Sequence, residues 1–308
     1  MKKIDEYLTK KKIEYKKDSE IRQFLTIKVG GKVSYIITVH ETEELKGLLQ
    51  YLFFSERKFI LLGGGSNIIF PDKSSDIIVI INKTSGITVQ DDNIIKVDSG
   101  ISNKSLLKFC SKNNIGGLEF LSGIPGTIGG AAAVNAGAFG ESISDILINA
   151  EIFTNSGKTV LKRKEYFNFK YRNSIFKYGN EVILSIYLKF NFAENEDIKK
   201  KASEILKFRT ERHPSYSALT SGCFFKNPVV EGKKISAGKL IENSNLKGYK
   251  DRNILISEKH SNFVINTGKA SFKEIKDIEK KIIGKVYEDK GIFLEREVIF
   301  ISPEGKKY

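Results

Sequence analysis

Leu45, Leu48, Leu49 and Leu52 recur at helical spacing, and the pattern predicts a helix from residue 42, with Thr42 as its cap, to about residue 57. Strand-like runs flank it: residues 27–39, broken at Gly30-Gly31, then 59–62 and 77–81. These make a small α/β unit. From 86 to 98 the alternation becomes that of a hairpin, with 87–89 and 94–97 on either side of the turn signal Asp91-Asp92-Asn93. A helix near 103–113 follows. A second hairpin joins 150–154 to 159–162 through Asn155-Ser156-Gly157, and a strand over 182–192 closes an α+β middle region. The last region carries a helix from about 197 to 212, a loop over 222–228 and a short helix over 237–243. A strand at 263–265, a helix over 271–288 and a strand over 292–301 complete it. Ser271 and Glu274 make a capping-box pattern, and Gly291 stands just past the helix end. Boundaries fall near residues 83 and 195, with no internal repeat.

A chain of 308 residues, 40% of them apolar, can form two or three domains with real cores. No apolar run reaches the roughly 18 residues that span a bilayer. The charged N-terminus, Met1 to Glu6, lacks the apolar stretch of a secretory signal. The two cysteines, Cys110 and Cys223, have no metal-like spacing, so a reducing cytoplasm is the simplest compartment. A net charge of +14 raises the question of nucleic acid. Of the 51 basic residues only eight are arginines, and the lysines are spread along the whole chain. Nucleic-acid readers cluster their charge and use arginine forks, so solvated lysine surfaces are the simpler reading. That scarcity draws attention to Arg172.

Residues 117–140 hold seven glycines, at 117, 123, 126, 129, 130, 137 and 140. Such a stretch forgoes side-chain packing and gains bare N–H groups that approach a ligand closely. Gly63-Gly64-Gly65-Ser66-Asn67 has the same character and follows the apolar run 59–62. Two such loops point to a large anionic cofactor held by main-chain amides. The upstream loop is no dinucleotide fingerprint, because position 68 is Ile where a third glycine belongs. Ser156-Gly157-Lys158-Thr159 imitates a phosphate loop, but Ile152 stands at its first glycine, and a hairpin turn is the better reading.

Other candidates each have a bland alternative. Arg172, in Tyr171-Arg172-Asn173-Ser174, is either a fork for a carboxylate or a surface ion pair. Cys223, between Gly222 and Phe224-Phe225, is either a proton donor or a small core residue. Cys110 shares a helical stripe with Leu106, Leu107 and Phe109 and reads as core. Glu295 and Glu297 share a face by strand alternation. They read either as a buried acid with a solvated neighbour or as two exposed carboxylates beside Arg296. His260 lies near a strand start, while His40 and His213 look like connectors; the histidines have no metal spacing.

Seven segments in this order resemble the UDP-N-acetylenolpyruvoylglucosamine reductase family, MurB, over nearly the whole chain. They are 63–67; 123–130 with 135–138; 171–174; Gly-Cys-Phe-Phe-Lys-Asn-Pro at 222–228; Ala-Gly-Lys-Leu-Ile-Glu at 237–242; His-Ser-Asn-Phe at 260–263; and Leu-Glu-Arg-Glu-Val at 294–298. The resemblance implies an α+β, three-domain architecture. A FAD-binding module would have two parts, 1–83 and 84–195. A substrate-binding domain would occupy 196–308, its last strand carrying a catalytic glutamate. It implies non-covalent FAD, NADPH as cosubstrate and a cytoplasmic enzyme expected as a monomer, without nucleic-acid, membrane or metal partners. The reaction would pass hydride from reduced flavin to carbon 3 of UDP-N-acetylglucosamine enolpyruvate and a proton to carbon 2, giving UDP-N-acetylmuramate for peptidoglycan.

By the same resemblance, FAD would be held by Gly63, Gly64, Gly65, Ser66, Asn67, Ser122, Gly123, Pro125, Gly126, Thr127, Gly129, Gly130, Asn135 and Gly137. Arg172 and Glu297 would polarise the substrate carboxylate, where charge develops after hydride addition. Glu297 would then need a raised pKa, to hold or share a proton. Tyr171, Lys226, Asn227, Lys239, Glu242 and His260 would serve the substrate and the phosphates. The family's proton donor is usually serine; here Cys223 takes that position and Ser221 is the reserve. The short 163–181 segment resembles the subtype without the tyrosine-bearing closing loop, and Leu25-Thr26-Ile27 replaces the usual Asn-Thr-aromatic. The alternatives are a sugar or lactone oxidase on the same FAD-binding architecture, which would lack 222–228 and 294–298, and a basic nucleic-acid-binding protein.

Overall fold

The architecture is α+β, and a computed structural model describes residues 2–73, 76–91 and 93–308. The leucine stripe forms the helix Thr42–Phe54, burying Leu45, Leu48, Leu49 and Leu52. Thr42 is its first residue rather than its cap. Glu41 holds the cap position without a side-chain bond, and the carboxylate of Glu44 instead accepts from the N–H of His40 at 2.8 Å. Beneath the helix, Ile78–Asn82 runs parallel to Lys32–Val39 on one side and to Phe59–Leu62 on the other. All five residues of the central strand are buried, as expected of a parallel strand covered on both faces.

The expected strand pair over 27–39 yields only Lys32–Val39. A Cβ on Gly31 would lie 1.9 Å from the carbonyl oxygen of Asp72, and the N–H of Gly31 donates to Pro71. Residues 27–31 are therefore committed to a neighbouring loop and make no ladder.

Contacts divide the chain into two compact units. The first comprises 1–17, 34–64 and 77–208, with two hydrophobic clusters inside it. One surrounds the leucine helix. The other fills an antiparallel five-stranded sheet ordered Thr159–Arg163, Leu147–Phe153, Val182–Lys189, Ile94–Asp98, Ile87–Gln90. Both expected hairpins are present in it; Asp92, within the first turn signal, lies outside the described residues. Gly157 closes the second turn at φ +74°, the region glycine adopts without strain.

The second unit comprises 18–33, 65–76 and 209–308, so two segments from the N-terminal quarter pack with the last third. Its antiparallel sheet is ordered Thr220–Cys223, Phe263–Asn266, Ile254–Ile256, Lys250–Asp251. The helix Phe272–Lys290 lays Phe272, Ile275, Ile278, Ile282 and Val286 into the core. Its capping box is complete, and Gly291 ends it at φ +65°. Burial pushes the Glu274 carboxyl up, but hydrogen bonds from Ser271 and Asn253 outweigh it and hold the group at about 2. The expected strand over 292–301 shrinks to Ile299–Phe300, parallel to Ile68–Ile69. Upstream the backbone of the run pairs with residues 224–226 at the isolated bridge Phe225–Arg296, so it changes partner before a ladder can form.

Candidate active site

Gly63 and Gly64 lie in the first unit against 126–127. A Cβ on Gly63 would fall 2.3 Å from Thr127 Oγ1, and one on Gly64 would fall 2.5 Å from Gly126 Cα. The two glycine segments thus touch main chain to main chain. Gly123 and Gly126 take φ +74° and +117°. Thr127 caps the short helix Ile128–Ala133 by accepting from the N–H of Gly130. The N–H of Gly129 donates to Ser99 O at 2.9 Å. Gly65, Ser66 and Asn67 belong to the second unit. There Gly65 O accepts from the N–H of Thr26 at 3.0 Å, Thr26 Oγ1 donates to Thr220 O at 2.7 Å, and Asn67 O accepts from the N–H of Ile299. Leu25 and Ile27, on either side of Thr26, are buried.

The residues of the first unit fit a dinucleotide cofactor on two observations. A Cβ at Gly63, Gly64, Gly129 or Gly137 would fall 2.3–2.5 Å from a neighbouring atom, so these positions present bare backbone. The buried hydroxyl of Ser122, beside Gly123, has no hydrogen-bond partner among the described residues. A buried hydroxyl without a partner is costly unless a ligand completes it.

Arg172 stands in the first unit at the tip of a tight turn, its guanidinium carbon 5.5 Å from the centroid of the Tyr171 ring. Nη2 donates to Gly137 O at 2.6 Å. Asn135, expected among the cofactor ligands, uses both ends of its carboxamide on the chain itself, at Lys170 O and at the N–H of Ser144.

Cys223 and Glu297 stand in the second unit. The N–H of Glu297 donates to Phe224 O at 2.8 Å, and the N–H of Lys226 donates to Glu295 O at 2.8 Å. Backbone pairing thus makes the thiol-bearing segment and the acid-bearing segment neighbours. Cys223 and Glu297 are half-buried, whereas Glu295 is exposed and takes the Lys226 ammonium at 2.5 Å. Gly222 precedes the thiol at φ +80°, with open space where a Cβ would stand. Ser221 is buried, and its hydroxyl has no partner among the described residues.

Sequence reasoning assigned no role to Asn262. It is buried, its Oδ1 accepts from the N–H of Phe225, its Nδ2 donates to Phe225 O, and its own carbonyl accepts from the N–H of Phe224. It therefore braces the residues next to Cys223. Its place in His-Ser-Asn-Phe was the available signal.

The remaining candidates are also in the second unit. Asn227 Oδ1 accepts from the N–H of Ala237, fastening the start of the helix Ala237–Asn243. Lys239 is exposed on that helix, and Glu242 is paired with Lys247 at 2.7 Å. His260 lies over Gly238, where a Cβ would fall 2.8 Å from its Cε1. Its Nδ1 accepts from the N–H of Asn262, so the ring proton of the neutral form sits on Nε2. His213 is more than a connector: its ring meets those of His260 and Phe263 at 5.3 and 5.1 Å. Burial, then His260 and Arg209, hold His213 at about 4, and burial lowers His260 too. Cys110 lies in the core, and burial, with Glu119 nearby, pushes its thiol up to about 12. Among the described residues no helix is long and apolar enough to cross a membrane, and no group of three or more His, Cys, Asp or Glu is set to hold a metal.

Residues 33–161 match the family model of an FAD binding domain, and residues 213–301 match that of UDP-N-acetylenolpyruvoylglucosamine reductase, C-terminal domain. The chain is 35% identical to the UDP-N-acetylenolpyruvoylglucosamine reductase of Chlamydia abortus, over 91% of this chain and 92% of that protein. It is 35% identical to the reductase of that name from Caldicellulosiruptor bescii, over 96% and 93%. The solved structure of UDP-N-acetylenolpyruvylglucosamine reductase from Thermus caldophilus aligns with a TM-score of 0.75 at 27% identity, covering 94% of this chain and 98% of that one.

Proposed function

The chain belongs to the UDP-N-acetylenolpyruvoylglucosamine reductase family, and from that premise we propose how its residues carry an FAD-dependent, NADPH-driven reduction. The substrate is UDP-N-acetylglucosamine enolpyruvate, and the product is UDP-N-acetylmuramate for peptidoglycan. Bound FAD, once reduced, supplies the hydride. The protein's own groups orient the enolpyruvyl carboxylate, stabilise the charge that develops on it and deliver a proton to carbon 2. Arg172 takes the carboxylate with its planar fork. Glu297, holding or sharing a proton, donates to the same group where charge appears. Cys223 gives up the proton, and its thiol, with a reference pKa near 8.5, is a better acid than the serine it replaces. Lys226, Lys239 and His260 serve the phosphate-bearing end as point charges or donors.

The observation that carries this reading is the 2.8 Å bond from the N–H of Glu297 to Phe224 O. It makes Cys223 and Glu297 neighbours on two paired segments. The test is an absorption spectrum of the purified chain, taken first alone, then after NADPH, then after substrate. A yellow protein that NADPH bleaches, that the enolpyruvyl substrate recolours and that releases FAD on heating agrees with the proposal. Covalently retained flavin, or reduced flavin indifferent to that substrate, overturns it in favour of a sugar or lactone oxidase.

A further inference from the structure

Lys170 and Asn173 exchange both main-chain bonds, at 3.0 and 3.1 Å, closing a two-residue turn with Tyr171 and Arg172 at its tip. Arg172 adopts φ +53° there. L side chains rarely take that conformation, and it persists only where the surroundings over-determine it. One short segment, 133–137, supplies three of the contacts that do so. Ser174 Oγ donates to Ala133 O at 2.6 Å, Asn135 Nδ2 donates to Lys170 O at 3.1 Å, and Arg172 Nη2 donates to Gly137 O at 2.6 Å. Alternate residues of 133–137 thus fasten alternate residues of 170–174.

Asn135 is the central tether, and its side chain reaches from the 133–137 segment to the turn, whereas those of Ser174 and Arg172 reach the opposite way. It is buried, with 7% of its surface exposed. It sits at φ +49°, which asparagine tolerates better than most residues. Its Oδ1 accepts from the N–H of Ser144 at 3.0 Å, which fixes the flip of the carboxamide and so aims Nδ2 at Lys170. We propose that Asn135 is a positioning residue for Arg172: it holds the turn in its left-handed form and registers the guanidinium against the glycine-rich segment. The proposal rests on the reading that Arg172 takes the substrate carboxylate. A fork works only when both N–H groups meet both oxygens, and a displacement of about 1 Å costs on the order of 100-fold in rate.

The test uses the FAD-loaded enzyme with Asn135→Asp and Asn135→Gly, each alone and combined with Arg172→Ala. Aspartate keeps the acceptor for Ser144 and loses the donor to Lys170. Glycine accepts the left-handed φ without strain and carries the measurement should the aspartate variant fail to fold. The expected result, read per bound FAD, is reoxidation by the enolpyruvyl substrate slowed about 10- to 100-fold more than bleaching by NADPH. In the Arg172→Ala background the Asn135 change adds no further slowing, since residues acting through one another are non-additive. Additive losses, equal slowing of both half-reactions, or normal reoxidation in the Asn135 variants beside a slow Arg172→Ala would overturn the proposal alone. Normal reoxidation by Arg172→Ala removes the underlying reading, and the proposal with it.

Discussion

The N–H of Glu297 is bonded to the carbonyl oxygen of Phe224 at 2.8 Å, and the carboxamide of Asn262 grips the next residue, Phe225, at both its N–H and its carbonyl. Two segments far apart in sequence are thereby made one support. Neither Cys223 nor Glu297 depends on a long flexible arm, because each stands on backbone that is paired or braced within a residue or two. That suits a proton transfer, whose rate falls steeply when donor and acceptor drift out of hydrogen-bond reach.

Cys223→Ala is expected to leave flavin reduction by NADPH nearly intact and to slow reoxidation by substrate by at least the roughly 10²–10⁴-fold of a lost proton donor. Cys223→Ser should recover most of that loss. Stopped-flow absorbance separates the two half-reactions. If both survive in the alanine variant, the donor is another group, with buried Ser221 first in line.

Arg172→Lys keeps the charge and removes the planar fork. A single ammonium cannot meet both oxygens of a carboxylate in one geometry. Substrate-dependent reoxidation should fall sharply while NADPH still bleaches the flavin. Unchanged turnover in steady-state assays of the lysine variant would refute the role.

The sequence made some of this legible and left the rest hidden, for physical reasons. Local signals transferred well. The leucine stripe, the Ser271–Glu274 box, Gly291 and the Asn155–Gly157 turn are each decided by residues within a few positions, and each stands where the pattern put it. Distant partners were hidden. Gly31 gives up its strand because Asp72 presses on it, and the run after Gly291 changes neighbours from 224–226 to 68–69. Neither has a periodicity to read. Of the candidate site, the motifs marked positions but not supports. Asn135 and Asn262 act through carboxamides bonded to main chain, which leaves no trace in hydropathy. The ring contact of His213 with His260 likewise joins residues that look unrelated in sequence.

Gly64→Ala should cost both stability and cofactor. Its new methyl would lie 2.5 Å from Gly126 Cα, and backbone cannot swing aside as a side chain can. The two glycine segments would have to part. The expected outcome is a lower melting temperature and a purified protein depleted of FAD by its absorbance ratio. Gly284→Ala is the comparison: it lies within the helix Phe272–Lys290 with nothing within 4 Å of the added carbon. It should gain about 0.5–1 kcal/mol from helix propensity alone. A Gly64→Ala protein that binds FAD normally would show that the close approach is dispensable.

Stability should fall on the acid side through His213. Burial, then His260 and Arg209, lower its pKa from the usual 6.5 to about 4. The unfolded chain takes up the proton near the ordinary value, and the folded chain refuses it until about pH 4. Between those limits the unfolded state binds more protons, so stability rises with pH there and is lost progressively as pH falls from about 6.5 to about 4. Below that window both states are protonated and this contribution levels off. His260 acts in the same direction, and protonating either ring opposes protonation of the other across 5.3 Å. His213→Phe keeps a ring against Phe263 and removes the titrating group. Melting temperatures of the two proteins should therefore differ more at about pH 4.5 than at about pH 7.5, with the variant losing less on acidification. Parallel melting profiles across that range would mean that His213 titrates normally in the folded chain, and that the packed rings are open enough for water to solvate the charge.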